Sequence, residues 1–364
     1  MGFRSLRTYQ FRNLLDGETD ISARQVFFVG ENGQGKTNLL EAIYLLCFGA
    51  SFRTTTDALL ISGDRQEAAV EGVFRREESG EEDRLRVTLG GAATRARKEI
   101  RVNDKVIRDR KEIVSTIPCI IFSHDDMSFV TGPPDRRRWF FNQTMSLHEP
   151  TFIDLHRRYQ KLVQQRNTAL REHRTDLLEI YEAELASSGL EIQQRRITAA
   201  TEFNEVFVEL FREVSGLAAD LTMQYHPAWK ECSVPADAMR VLAAHRAGDI
   251  ELGTTTSGPH RDRFVFTVER HNFARIASTG QLRLMSLILR VAQAVYFRRK
   301  TGRKPLLLLD DVLLELDLGR RERFLSKLPE AEQRFFTFLP DEQFRPFVTS
   351  ETLVYTVEKG GIRA

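Results

Sequence analysis

The chain has 364 residues, 41% hydrophobic and 29% charged, with 11 prolines, a balance that specifies a folded protein large enough for more than one lobe. Its 53 Lys and Arg stand against 51 Asp and Glu, a formal charge of +2; a uniformly basic coat is excluded, and affinity for a polyanion has to come from clustered cations. No apolar run approaches the 18 or so residues that cross a bilayer, the N-terminus carries no apolar leader, and Cys47, Cys119 and Cys232 are too few and too scattered for a disulfide framework or a zinc site. The expectation is a protein of a reducing, cytoplasmic compartment with no membrane partner.

In chain order, Gln25–Val29 reads as a buried strand ending at Gly30, followed by a helix over 37–48. From about 66 to 107 the apolar period shifts to two, through Val70, Val73, Leu85, Val87, Leu89, Ile100 and Val102, with Asn103-Asp104 as a turn. That pattern predicts an antiparallel β lobe. Between about 146 and 217, Leu155, Tyr159, Leu162 and Val163, then Phe203, Val206, Phe207, Leu210, Phe211 and Val214, recur at helical spacing. Two or more long helices are predicted there, as a compact subdomain rather than a projecting arm. A helix is expected over 282–297, and strands at Pro305–Leu309 and Thr352–Val357, so both ends of the chain complete one sheet. The predicted architecture is α/β in three segments: 1–145, a core lobe with the β lobe; 146–250, a helical subdomain; 251–364, the remainder of the core.

Gly30-Glu31-Asn32-Gly33-Gln34-Gly35-Lys36-Thr37 fits G-x-x-x-x-G-K-[ST] between a strand and a helix. Such a loop turns its backbone N–H groups inward around phosphates at the positive end of the following helix. Lys36 then reaches the β- and γ-phosphates and the Thr37 hydroxyl binds Mg²⁺, with ATP the expected nucleotide. The leucine strand delivers Asp310, a second candidate Mg²⁺ ligand, and Asp311 stands where such an ATPase places its general base. Glu is usual at that place; the shorter Asp predicts slow turnover, suited to a switch. Ser278-Thr279-Gly280-Gln281-Leu282-Arg283 lies 32 residues before Asp310 and opens a helix. Alone it is an ordinary helix cap; beside the P-loop and Asp310-Asp311 it reads as a second phosphate-binding terminus that serves the nucleotide of another subunit. Glu315-Leu316-Asp317 falls where such dimers carry a contact loop.

Over nearly its full length the sequence resembles the RecF family of bacterial DNA replication and repair proteins, within the ABC/SMC-like ATPase class. The resemblance is carried by Phe11-Arg12-Asn13, Gly33 to Tyr44 including Asn38, Ser51-Phe52-Arg53-Thr54, Arg137-Arg138-Trp139-Phe140, Gln165-Arg166-Asn167, Gly258-Pro259-His260-Arg261-Asp262, Ser278 to Arg283 and Leu308 to Val312. It implies an ABC-type head that uses ATP and Mg²⁺, dimerises with ATP, binds duplex, single-stranded or gapped DNA, and acts with RecR and RecO to place RecA. The chain departs from the family pattern at Thr279, at His124 and at Asn142, and Phe335–Leu339 holds no switch histidine. For DNA, Arg136, Arg137 and Arg138 are the candidate phosphate contacts, with Arg298, Arg299, Lys300, Arg303 and Lys304 as a second cluster. A transporter subunit and a small-molecule kinase share the P-loop; the β lobe, the helical insertion and the family segments disfavour the first, and the Ser278 hexapeptide the second.

Overall fold

A computed structural model describes residues 2–76, 80–90, 97–216, 221–313, 316 and 318–364. In chain order its elements begin β1 (Gly2–Tyr9), β2 (Gly17–Asp20), β3 (Gln25–Val29), α1 (Lys36–Phe48), β4 (Glu67–Arg75), β5 (Glu82–Gly90), β6 (Arg97–Val102), β7 (Lys105–Val106), α2 (Lys111–Thr116) and β8 (Cys119–Phe122). There follow α3 (Ser128–Thr131), α4 (Pro134–His148), α5 (Pro150–Arg171), α6 (Leu178–Ser215), β9 (Leu221–His226), α7 (Pro235–Leu252), β10 (Arg263–Val268), β11 (His271–Asn272), α8 (Phe273–Ile276) and α9 (Thr279–Thr301). The chain closes with β12 (Leu306–Leu309), α10 (Leu318–Lys327), β13 (Arg334–Phe338), β14 (Thr352–Glu358) and β15 (Gly361–Arg363). Two compact units result: residues 1–125, 301–321 and 328–364, and residues 126–300 with 322–327.

The first unit holds two six-stranded sheets, ordered β2-β1-β4-β5-β6-β7 and β15-β14-β3-β13-β12-β8. In the second of these β14, β3, β13, β12 and β8 run parallel. A strand buried on both faces cannot alternate, and the Val-Phe-Phe-Val of β3 and the four leucines of β12 are buried throughout. The other sheet is antiparallel and open on one side, so β5 alternates exposed and buried residues along its length. Asn103 and Asp104, both with positive φ (50° and 65°), form the tight turn between β6 and β7. Leu39, Leu40, Ile43, Leu46 and Cys47 of α1 share one core with Phe3, Val70, Leu85 and Val87.

In the second unit, residues 172–177 link α5 to α6, short enough to make the two helices antiparallel neighbours. Phe203, Val206, Phe207, Leu210, Phe211 and Val214 are all buried, as their spacing predicts. The 38-residue α6 also packs on α7 and β9, elements the sequence pattern did not announce. At the junction of α5, α6 and α7, the fully buried Arg166 guanidinium pairs with Glu182 at 2.8 Å and Asp249 at 2.7 Å and donates to the Thr255 hydroxyl at 2.9 Å. The units divide the chain after 125 and 300, where the three-segment expectation placed 145 and 250. Helix α9 accounts for the difference: Arg290 pairs with buried Asp126 at 2.8 Å, Gln293 donates to Thr144 at 2.9 Å, and the Tyr296 hydroxyl donates to Glu202 at 2.7 Å.

Candidate nucleotide site

Strands β3, β12 and β13 lie side by side and end together, which puts the P-loop, Asp310-Asp311 and Thr337 at one edge of the parallel sheet. That edge, outside the carboxyl ends of the strands, is where open α/β sheets bind ligands. Gly30 leaves β3 beneath β14, and a Cβ there would lie 2.3 Å from the Val357 carbonyl oxygen. Gly35 caps α1 with φ of 116°, a conformation side chains rarely adopt. No acidic residue occupies the first turn of α1, so the positive end of the helix is left uncompensated.

The loop is braced from outside by three segments. The Asn13 amide donates to the Gly33 carbonyl at 3.1 Å, Lys359 N–H donates to the Gln34 side-chain oxygen at 2.7 Å, and Gly360 N–H donates to the Gln34 carbonyl at 2.9 Å. Asn38 donates to Asn13 at 2.7 Å and accepts from Arg53 at 2.7 Å. Beneath them Glu41, with no exposed surface, receives both nitrogens of Arg12 at 2.9 Å and the Ser51 hydroxyl at 2.5 Å. Phe11-Arg12-Asn13 and Ser51-Phe52-Arg53, two of the segments that carry the family resemblance, frame the phosphate loop. Glu31 and Asn32 are exposed on its tip.

Within the loop, buried Lys36 donates to the carbonyls of Gly30 at 2.6 Å and Glu31 at 3.1 Å. The Thr37 hydroxyl donates to an Asp310 carboxylate oxygen at 2.9 Å. Thr337 reaches both acids, with its hydroxyl 3.1 Å from Asp310 and 2.9 Å from Asp311, and it accepts the Asp311 N–H at 2.7 Å. Asp311 takes a positive φ of 50°, which turns its carboxylate back onto Thr337; Asp tolerates this region better than most residues. Burial first, and the neighbouring Asp311 carboxylate second, push Asp310 up to about 6. A hydroxyl and a buried carboxylate whose charge is poorly compensated are hard oxygen donors suited to Mg²⁺. Among the described residues no cluster of three or more His, Cys, Asp or Glu could hold a metal by itself, so phosphate oxygens and water would have to complete such a shell. The predicted P-loop residues and Asp310-Asp311 thus meet at one place, joined by Thr337, which stands where a transporter ATPase would carry its switch histidine.

Most of the other candidate residues belong to the second unit. Ser278 N–H donates to the Gln281 side chain at 2.8 Å, and Gln281 N–H donates to the Ser278 hydroxyl at 3.3 Å, a reciprocal capping box that opens the 23-residue α9. Ser278, Thr279 and Gly280 are exposed. Of the arginines, Arg137 donates to the carbonyls of Val130 and Gly132, both at 3.0 Å, and Arg138 to that of Asp262 at 2.9 Å. Arg136 is exposed. In the second cluster Lys300 pairs with Glu202 at 3.0 Å, and, in the first unit, Lys304 pairs with Glu330 at 3.4 Å while Arg303 donates to the Ser115 and Thr116 carbonyls. Asn142 accepts from Arg196 at 2.9 Å and contacts a ring nitrogen of His156 at 2.9 Å. Glu315 and Asp317 of the expected contact loop lie outside the described residues.

The model of the RecF/RecN/SMC N-terminal domain matches residues 3–360. The DNA replication and repair protein RecF of Treponema pallidum (strain Nichols) is 40% identical over 352 residues, 96% of this chain and 97% of that one. The chain belongs to the RecF family. RecF of Lactobacillus gasseri is 32% identical, over 97% of this chain and 96% of its own. A solved structure of the recombination mediator protein RecF with ATP, from the RecFOR pathway, superposes with a TM-score of 0.88 at 26% identity, covering 100% of this chain and 97% of that one. An Smc head from Pyrococcus furiosus, at 15% identity and TM-score 0.55, shares the fold. The architecture is that of an SMC/RecF-type ABC ATPase, as the sequence reading expected. No helix among the described residues is long and apolar enough to cross a membrane.

Proposed function

We propose that this RecF-family chain is an ATP-gated DNA-binding protein of recombinational repair, in which ATP joins two copies across DNA and slow hydrolysis releases them. The observation that carries the reading is the meeting of Lys36, Thr37 and Asp310 at the uncompensated N-terminus of α1. Lys36 exchanges its contacts to the Gly30 and Glu31 carbonyls for β- and γ-phosphate oxygens, and the loop amides from Glu31 to Asn38 take the remainder. Mg²⁺, when bound, screens the phosphate charge and polarises the bond that breaks. Thr37 and Asp310 hold that ion. Asp311, oriented by Thr337, accepts the proton of the attacking water. The exposed Ser278 and Gly280, with the half-buried Gln281, supply a second anion-binding terminus at the start of α9 for the nucleotide of the partner copy. DNA held by the dimer, at gaps or duplex–single-strand junctions, is the platform on which RecR and RecO promote RecA loading, and the protein works in the cytoplasm on the nucleoid.

Fluorescence anisotropy of a gapped duplex, titrated with the protein alone, with Mg²⁺-ATP and with a slowly hydrolysed analogue, tests this reading. Tighter binding with nucleotide, lost in Lys36→Met, is the expected result. Binding indifferent to nucleotide overturns the ATP gate.

A further inference from the structure

A cleft of about 540 Å³ opens in the second unit between α4 and α5. Trp139 of α4 forms one wall and is 47% exposed, an unusual state for so large an apolar ring on a helix that also carries three arginines. It is not loose: Trp139 lies offset-stacked on Phe129, centroids 5.7 Å apart and planes at 21°, and Phe129 is fixed in turn by Phe140 and the Arg290 guanidinium. Arg136 and Arg138 flank it. The exposed amide side chains of Gln160 and Gln164 line the α5 side.

The floor is polar and buried. Arg196, 2% exposed, donates to Pro259 O, Asp262 and Asn142, yet its Nε has no hydrogen-bond partner. His156 and His260 sit beside it as neutral rings, because burial pushes both down to about 4. A rigid half-exposed aromatic plane, cations on its flank and amides opposite form the combination that stacks a nucleobase, grips the adjoining phosphate and hydrogen-bonds a base edge. An apolar protein segment would cover Arg136, Gln160 and Gln164 without offering them partners.

We propose that this cleft binds an unpaired base of single-stranded DNA, stacked on Trp139 with its phosphate on Arg136 and Arg138. Bases inside a duplex have both faces covered by their neighbours, so only an unpaired one can offer a face to the indole. The inference rests on the DNA-binding reading above and assigns to α4 and α5 the single-strand side of a gap or junction. Sequence preference at such a site is weak, since every base has a π-face.

The test compares wild-type protein, Trp139→Ala and Trp139→Phe in binding to labelled oligo(dT) and to a blunt duplex, with the quenching of intrinsic tryptophan fluorescence followed in parallel. Trp229 is buried, so the quenching reports Trp139. Expected are roughly tenfold weaker oligo(dT) binding for Trp139→Ala, a smaller loss for Trp139→Phe, unchanged duplex binding, and quenching of wild type that is saturable by oligo(dT). Arg136→Ala is a second variant that leaves the cleft intact, and it lowers the salt dependence of oligo(dT) binding by about one phosphate contact. Undiminished oligo(dT) binding by Trp139→Ala, or quenching by free dTMP as strong as by oligo(dT), overturns the proposal; the latter makes the cleft a mononucleotide site. If wild type binds the gapped duplex with ATP while the variant shows no selective loss, only this inference fails. Wild type that binds neither DNA in any nucleotide state removes the DNA-binding reading and this one with it.

Discussion

At the scale of single residues, the nucleotide site depends on contacts that are few and short. Lys36 is buried, and its ammonium is held by two carbonyls. Lys36→Met keeps the stem and removes the charge, so ATP affinity and ATP-driven pairing are expected to vanish while the melting temperature moves by only a few degrees. Analytical ultracentrifugation with and without Mg²⁺-ATP, beside a thermal melt, checks this, and a variant that still pairs with ATP would contradict the sandwich. His156 and His260 make a separate prediction. The ordinary imidazole value is 6.5, and in the fold burial holds each near 4. Between those values the unfolded chain binds more protons than the folded one, so the stability these rings contribute is complete above about 6.5 and is lost as pH falls toward 4. The loss is about 3 kcal/mol per ring. Urea denaturation at pH 7 and pH 4.5 measures it, and His156→Gln should flatten the fall. An unchanged pH dependence in that variant would show that the ring titrates alike in the folded and unfolded chain.

At the scale of elements, two helix contacts stand out. The capping box at the start of α9 ties Ser278 to Gln281 while leaving Ser278 exposed. Ser278→Arg is therefore expected to cost about 1 kcal/mol as a lost cap, to leave ATP binding intact, and to block ATP-driven pairing. Equilibrium binding of a fluorescent ATP analogue and sedimentation separate these effects; undiminished pairing would reduce the hexapeptide to a cap. In the helical unit, Arg166 joins Glu182 of α6 to Asp249 of α7 from α5 with no exposed surface. Arg166→Met leaves buried Asp249 without its cation and Glu182 with Arg246 alone, a change of about 3 kcal/mol. A denaturant titration followed by far-UV circular dichroism should show the α-helical signal lost at much lower urea.

At the scale of the whole molecule, the chain passes out of the first unit after residue 125 and returns at 301. Its parallel sheet draws β3 from the N-terminal part and β12, β13 and β14 from the C-terminal part, with β3 flanked by β13 and β14. Removing residues 352–364 takes away β14 and β15, exposes one edge of β3 and removes the Lys359 and Gly360 braces on Gln34. Such a truncation is expected to yield a protein that no longer binds ATP and no longer melts cooperatively, measurable by calorimetry. Gln333 ties the two sheets of this unit together, accepting the Phe3 N–H at 2.7 Å and donating to the Phe3 and Ile21 carbonyls at 2.8 Å.

The sequence by itself determined what depends on local chemistry. A phosphate loop needs its glycines in a fixed order, a doubly buried strand needs an unbroken apolar run, and a helix face needs its 3.6 period; hence β3, α1, the β lobe, α9, β12 and β14, with Lys36, Thr37 and Asp310 as candidates, were legible as strings. Only the tertiary structure decided what depends on residues distant in the chain. Thr337 sits between Asp310 and Asp311 because β13 lies beside β12, and Arg12, Asn13, Glu41 and Gly360 brace the loop because three separate segments converge on it. The same pairing rule placed α9 with the helical unit, since Asp126, Thr144 and Glu202 satisfy its buried polar side chains. Arg137 and Arg138 read in sequence as phosphate contacts, and in the fold each also satisfies backbone carbonyls, because a half-buried guanidinium must find acceptors wherever the chain supplies them.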